Sequence, residues 1–377
     1  MNDMTDRWRL LKLGGIDPVE TQMIFEAVAT ARDKGLVPET IIFCWPKTPL
    51  VSIGFHQEIE KEIDSEYCKK EKVPVVRRIL GGGAVYLDKG QLFYQIIASE
   101  DSPTIPSTMS KLFEKLLQAP ILTYQKIGIP VNYKPINDIE INGRKISGNG
   151  VGRVGNINVL TGNLILDFNY DEMVKILKVP SEKFRDKIAS TLKERLTTIK
   201  REVGREFDKV YLMDLLKKNF EKNLEIELQE GTVTEEEQKI LKNLQKKYLS
   251  NEWTFQTSMR HPELMQKSHT ITGTERVVKI AGGVYVCEGV FKAAGGLIRT
   301  TIELVDKRIN DLLISGDFEF FPREKLAALE EELKGLEIEE KRITEKIEQF
   351  YQKYNIQAPG TFPKDFSKTL HLAVQNL

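Results

Sequence analysis

The chain has 377 residues, which at roughly 100–200 residues per domain implies about two domains. Hydrophobic residues make up 41% and charged residues 29%, so a core can be buried and a chain disordered by composition is excluded. The 55 Lys and Arg balance the 55 Asp and Glu, which excludes the net basic field that draws in nucleic acid or an anionic membrane.

The first ten residues carry Asp3, Asp6 and Arg7 and no apolar signal segment. No later run reaches the roughly 18–20 apolar residues of a membrane span. Asp17-Pro18-Val19-Glu20 predicts a helix start: Asp17 caps, Pro18 suits the first helical position, and Glu20 completes a capping-box-like pair. The helix reads through Met23, Ile24, Ala27 and Val28 and stops at Gly35. Runs 39–45 and 50–55 are β-rich around the breaker Pro46-Lys47-Thr48-Pro49, which predicts a strand pair. Residues 64–72 form a short helix ending before Pro74. Val75-Val76-Arg77-Arg78 is a strand entering the loop Gly81-Gly82-Gly83, and 85–97 is β-rich again. Residues 107–126 have helical spacing, with a break or kink at Pro120.

Ile139 and Ile141 alternate with polar residues, and Asn142-Gly143 then supplies the strongest short hairpin signal. Lys145 falls two residues into the return strand. Residues 158–168 read as a strand, and 171–177, 184–192 and 210–223 as helices. The highly charged stretch 227–247 reads as a surface helix or linker. A second β-rich block spans 269–314, with turns at Gly282-Gly283 and Gly295-Gly296. Residues 324–354 suit two amphipathic helices meeting near Gly335. The expected fold class is α+β: a large domain over 1–250, then a smaller one over 251–377.

Three motifs carry chemistry. In Arg77-Arg78-Ile-Leu-Gly81-Gly82-Gly83-Ala84-Val85-Tyr86 the glycines let the backbone approach a ligand closely. Their N–H groups can converge on an anion, and Arg78 adds a cationic fork for phosphate or carboxylate; an ordinary glycine turn beside surface arginines reads the same way. Asn137, Asp138 and Lys145 flank the hairpin and suit one pocket. Asp is a hard oxygen ligand for Mg²⁺ held with phosphates, and Lys can stabilise a developing oxyanion; the bland alternative is a turn and a solvated lysine. Gly150-Val-Gly152-Arg-Val-Gly155 formally matches GxGxxG, but a strand follows where a dinucleotide site needs a helix. The chain has no Walker A pattern, GxSxG elbow, CxxC or HExxH. Cys44, Cys68 and Cys287 are an odd, sparse set. They argue against a disulfide framework and for a reducing compartment, so a cytoplasmic location is expected. Cys44 reads as core, and His56 as a loop residue.

Arg77-Arg78-x-x-Gly81-Gly82-Gly83-Ala84-Val85-Tyr86-x-Asp88-x-Gly90, Asn137-Asp138-Ile139, Gly143-Arg144-Lys145-Ile146-Ser147-Gly148 and Leu160-Thr-Gly162-Asn-Leu164, in that order, resemble the lipoate–protein ligase A family of the biotin/lipoate ligase superfamily. The stretches around Gly295-Gly296, Ile314-Ser-Gly316-Asp317-Phe318 and Leu329 to Gly335 resemble the accessory domain of these ligases, fused here in one chain. The resemblance implies a two-step reaction in which lipoate and Mg·ATP form lipoyl-adenylate and a lysine of a lipoyl-carrier protein then displaces AMP. It implies a mixed-sheet catalytic domain of the biotin/lipoate ligase type with a small α/β accessory domain, ATP and Mg²⁺ as cofactors, and a lipoyl domain or H-protein-like carrier as partner. With the balanced charge and the lack of a long apolar run, no nucleic acid or membrane partner is expected. Lys145 and Asp138 are implied as catalytic, and Asp138 as the metal contact. Arg78, Gly83, Ala84, Val85, Tyr86, Asn137, Asp138 and Lys145 are implied to bind ATP. Arg78, Gly82, Gly83, Lys145 and Gly148 are implied to bind lipoate, in an apolar tunnel.

The chain departs from the family pattern in places. Leu87 replaces a usual His, Gln91 a usual Asn, and Gly148-Asn149-Gly150 a usual Gly-Ser-Ala. Arg153 corresponds to a family arginine only with a slip of one residue. The rivals are a cysteine-dependent octanoyl or lipoyl transferase, and a non-catalytic carrier-binding protein of the same fold. Such transferases carry their cysteine between the two motif blocks, and 91–137 contains none.

Overall fold

The computed structural model describes residues 6–178, 185–269, 271, 276–375 and 377. The chain forms two compact units. The first comprises Met1–Ser52, Glu62–Ile79 and Val85–Ser250; the second comprises Ile53–Lys61, Leu80–Ala84 and Asn251–Leu377.

The strands of the first unit are β1 (Asp6–Ile16), β2 (Thr40–Pro46), β3 (Leu50–Ile53), β4 (Val75–Arg77), β5 (Val85–Leu87), β6 (Gln91–Ser99), β7 (Asn132–Lys134), β8 (Asp138–Ile141), β9 (Arg144–Ser147), β10 (Asn149–Val154), β11 (Ile157–Ile165) and β12 (Ile226–Glu230). The main sheet has the order β10-β11-β6-β2-β1-β12. It is mixed: β1 runs parallel to β2 and β12, and the remaining pairs are antiparallel. Two three-stranded sheets, β4-β3-β5 and β7-β8-β9, complete the unit.

β6 is nearly continuous in apolar residues because it is covered on both faces. Phe43 and Tyr94, directly opposite across β2 and β6, face Phe220 of the helix Lys209–Leu224, with ring centroids 6.3 and 6.0 Å away. Gln95, one residue on, projects the other way and donates to Thr21 O at 2.9 Å, beside the helix Ile24–Asp33. That side is closed by the helix Glu235–Tyr248, whose capping box is Thr234 with Glu237. Glu237 is fully buried and is gripped by Arg9 from β1 through both carboxylate oxygens.

Some expectations hold. Gly35 ends the first helix at φ +71°. That helix starts later than expected: Asp17 Oδ1 accepts from Val19 N at 2.9 Å ahead of a 3-10 turn, Glu20–Gln22, and the α-helix begins only at Ile24, behind Met23, which makes no side-chain cap. The GxGxxG-like stretch is β10 running into β11, with no helix. Others need correction. Runs 39–45 and 50–55 are both strands, but they do not pair: β2 is the buried centre of the main sheet, while β3 joins β4 and β5. The break in 107–126 falls at Leu117, between Met109–Leu116 and Gln118–Lys126. Pro120 lies in the first turn of the second helix, where its missing N–H costs nothing. Of the two readings of the charged stretch 227–247, the surface helix holds over Glu235–Tyr248 and the linker does not: β12 is an integral edge strand, and the helix after it is anchored by Glu237. The proposed helix at 184–192 is Arg185–Arg195, and residue 184 lies outside the described residues.

In the second unit, β13 (Val277–Ala281), β14 (Val284–Ala293), β15 (Gly296–Val305) and β16 (Arg308–Gly316) form an antiparallel meander. The helices Lys325–Leu333, Glu340–Tyr354 and Pro363–Val374 close a core around Ile298, Ile302, Leu312, Phe318, Phe350 and Phe366. Gly335 separates the first two helices at φ +79°, as expected. Segments 53–61 and 80–84 belong to this unit. His56 is a turn residue, as expected, but a buried one. It is 1% exposed and stacks on Phe318 with centroids 5.3 Å apart.

Candidate active site

The hairpin forms as its sequence dictates. Asn142 and Gly143 take φ of +51° and +75°, the left-handed pair that a two-residue turn requires. Opposite residues on antiparallel strands share a face. Ile139 and Ser147 face inward and are fully buried, while Glu140 and Lys145 face outward. The register shifts between Ile139 and Glu140, which leaves Ile146 as an extra buried residue. Lys145 then reaches diagonally to Asp138, with Nζ 2.6 Å from Oδ1. The neighbouring diagonal is occupied as well: Lys134 of β7 lies 2.8 Å from Glu140. Glu140 is thus kept for Lys134, and Asp138 for Lys145. Both members of the second pair are about one-third exposed, so substrate can reach them.

The hairpin is held from beneath by polar side chains that the sequence did not single out as site residues. Tyr94, Ser147, Asn149, Asn163 and Gln91 are all buried. Asn137, expected at the nucleotide, donates from Nδ2 to Asn149 O at 2.8 Å. Gly148 N donates to Asn163 Oδ1 at 2.8 Å, and a Cβ at Gly148 would sit 3.5 Å from Lys145 Cε. The available signal was chemical: Asn149 and Gln91 are two of the positions at which the chain departs from the resembled pattern.

Arg78 lies at the end of β4 and donates to Ser52 O at 3.1 Å and Ser52 Oγ at 3.3 Å. Val85 is exposed, and Tyr86 is buried in β5. The Tyr86 ring meets Phe168 edge-on at 6.1 Å. Phe168 lines an open depression of about 440 Å³ together with Asp88, Asp167, Tyr170 and Asp171. With three aspartates in its wall, this depression is not the expected apolar tunnel.

Gly82, Gly83 and Ala84 belong to the second unit. Gly82 has φ +82°, so glycine is required there. Gly81 N donates to Glu319 Oε2 at 2.9 Å, and a Cβ at Gly83 would lie 3.7 Å from Asp317. A Cβ on Gly54 would fall 1.9 Å from Gly82 O, so the two segments cross at backbone contact. Of the expected site residues, then, Lys145, Asp138, Asn137 and Gly148 come together on one hairpin. The loop glycines are organised around Glu319 and Gly54.

Among the described residues no group of three or more His, Cys, Asp or Glu could hold a metal. One exposed carboxylate suits a Mg²⁺ that arrives with phosphates and keeps most of its waters, not a resident caged ion. The three cysteines are all buried. Burial pushes their thiols up, Cys68 to about 11 and Cys287 to about 12, so none is a poised thiolate.

Comparison with known families places the chain. Residues 17–221 match the lipoyl protein ligase A/B catalytic domain, more than half of the molecule. The chain belongs to that family. Residues 290–370 match the bacterial lipoate protein ligase C-terminus. An octanoyltransferase LipM from Moorella thermoacetica is 28% identical over 267 residues, covering 66% of this chain and 97% of the relative. Lipoate-protein ligase A subunit 1 of Thermoplasma acidophilum is 34% identical over 212 residues, covering 54% and 79%. The solved structure of the bipartite lipoate protein ligase of that organism has a TM-score of 0.59 at 27% identity, covering 66% of this chain and 96% of that one. Lipoate-protein ligase A bound with ATP gives 0.56 at 25% identity, covering 67% and 99%. The LipL1 structure of P. falciparum has the same fold over 93% of this chain, with a TM-score of 0.63 at 16% identity. This enzyme of the lipoyl ligase and transferase family has, among its described residues, no helix long and apolar enough to cross a membrane.

Proposed function

We propose that the chain is an ATP-dependent lipoate–protein ligase. The observation that carries this reading is the Lys145–Asp138 pair on the hairpin, in a chain whose every cysteine is buried and protonated. A carboxylate oxygen of lipoate attacks the α-phosphorus of ATP, the bond to the β-phosphate oxygen breaks, and pyrophosphate leaves. Two anions must be brought together, so the step needs fixed cations. Lys145 supplies one at the reacting phosphate and carboxylate. The phosphates of ATP compete with Asp138 for Lys145; Asp138 would then hold the Mg²⁺ that ATP carries, and the ion would neutralise phosphate charge. Arg78, Val85, Tyr86 and Asn137 are among the residues that bind the nucleotide, and Gly148 lies against the lipoate carboxylate. In the second step the deprotonated ε-amine of a carrier lysine attacks the acyl carbon, the C–O bond to AMP breaks, and an amide forms. The resemblance to a ligase solved with ATP, and to another solved with an E2 lipoyl domain as its subject, supports both ATP and a lipoyl-domain carrier. The same chemistry supports a cytoplasmic setting, where ATP and carriers are found.

The second reading is acyl transfer through a cysteine, favoured by the octanoyltransferase relatives covered over 97% to 99% of their length. It requires a reactive thiol, and 91–137 has none. One experiment separates the two. Pyrophosphate release that depends on lipoate and Mg·ATP, followed by a mass increase on a lipoyl domain, is the expected result. A hydroxylamine-labile acyl-protein formed without ATP would establish the transferase, and binding without turnover a carrier-binding protein.

A further inference from the structure

The Lys145–Asp138 pair is partly exposed, and an exposed ion pair holds its own geometry weakly. Its orientation must come from the backbone beneath it. Asn149 supplies that support. Its Oδ1 accepts from the Tyr94 hydroxyl at 2.6 Å, and its Nδ2 donates to Asn137 O at 2.9 Å. Asn137 returns the bond, Nδ2 to Asn149 O at 2.8 Å. The amide orientation is fixed by its partners, because a carbonyl oxygen only accepts. Ser147 Oγ closes the ring, 3.1 Å from Tyr94 OH and 3.3 Å from Asn149 Nδ2. The main chain just before Asp138 is therefore tied to the main chain just after Lys145.

Two further details fit this arrangement. Gly162 makes room for it, since a Cβ there would fall 2.1 Å from Asn149 Oδ1 and 2.4 Å from the Tyr94 ring. Gln91 carries a second branch. It donates to Tyr86 O at 3.1 Å and accepts from Asn163 at 2.7 Å, and Asn163 in turn holds Gly148 N. A serine at 149 would end one bond short of the atoms that serve Tyr94 and Asn137.

We infer that Asn149 is a positioning residue: by joining Tyr94 to Asn137 it sets the geometry of Lys145 and Asp138. This rests on the ligase reading. The test uses the full chain, comparing wild type with Asn149→Ala, Asn149→Ser and Asn149→Asp in lipoate-dependent pyrophosphate release over ATP, Mg²⁺ and pH. Asn149→Ala lowers kcat about 10–100-fold, the usual cost of losing a group that orients a ligating carboxylate. It raises the Mg²⁺ needed for half-maximal rate and leaves KM for lipoate little changed. Asn149→Ser falls between Ala and wild type. In Asn149→Asp the ionised carboxylate repels Asn137 O, whereas the protonated acid donates to it, so activity relative to wild type rises as pH falls. Thermal midpoints identify a misfolded Ala variant, in which case Ser and Asp decide the outcome. Folded variants with wild-type kcat, or losses that follow the folded fraction with no pH dependence, overturn the inference. A wild type that releases no pyrophosphate overturns the ligase reading and this inference with it.

Discussion

The 137–149 hairpin and the 80–84 loop are two regions with the same expected task, binding phosphate, and they are built in different ways. The hairpin is local. Its turn, its ion pair and the reciprocal Asn137–Asn149 amide bonds join residues at most 12 apart in sequence, and Tyr94, Tyr124, Asn163, Thr197 and Glu202 brace it from further along the chain. The loop is long-range: the N–H of Gly81 meets a carboxylate 238 residues further on. The difference shows that a motif that is contiguous in sequence can have its shape set by a remote part of the chain, while the Lys145–Asp138 pair is made within one hairpin.

Four experiments break or sharpen this contrast. Lys145→Ala should cut lipoate-dependent pyrophosphate release by at least about 100-fold while leaving circular dichroism and the thermal midpoint near wild type, because a partly exposed lysine contributes little packing. A wild-type rate would remove the hairpin from the chemistry. Gly54→Ala should destabilise by about 3 kcal/mol, since its Cβ would strike Gly82 O, a backbone atom that cannot swing away; urea unfolding measures this. Gly143→Ala has nothing within 4 Å of its Cβ and should lose only about 1 kcal/mol, from its positive φ. Equal losses at 54 and 143 would refute the division into long-range and local construction.

The smallest effect is a pH slope in the second unit. Burial lowers the pKa of His261, but the bond to Glu330 and the charges of Glu330 and Asp311 outweigh burial and the opposing Arg260, so the net shift is upward from 6.5. His261 lies 2.8 Å from Asp311, itself paired with Lys334, and 3.3 Å from Glu330, which also accepts from Arg260. A raised folded-state pKa gives stability that is complete below about pH 6.5 and is lost as pH rises through the folded value. The thermal midpoint of wild type should therefore exceed that of His261→Asn most at acid pH, with the gap closing as pH rises. A gap that widens with pH would show the opposite shift.

The 138–147 hairpin was legible because its signals are short-range: Asn142-Gly143 fixes the turn, and period-2 alternation fixes which residues face out. The α+β class and the terminal helices were legible through apolar runs and turn signals, and the mixed sheet through the family resemblance. What could not be read depended on distant partners. Nothing near His56 announces Phe318, nothing near Glu237 announces Arg9, and nothing in 39–55 announces that β2 pairs with β1 and β6 rather than with β3. Asn149 was visible only as an unusual residue, because its function depends on Tyr94 in another strand.

One consequence follows from residues 80–84 belonging to the second unit. A gene split after codon 250 would yield a first product whose glycine turn lacks Glu319 and Phe318, the groups around which 80–84 and His56 are arranged. The two polypeptides would have to assemble before that turn could take its shape. Encoding them as one chain makes the supply of both halves equal and removes the dependence on their concentrations.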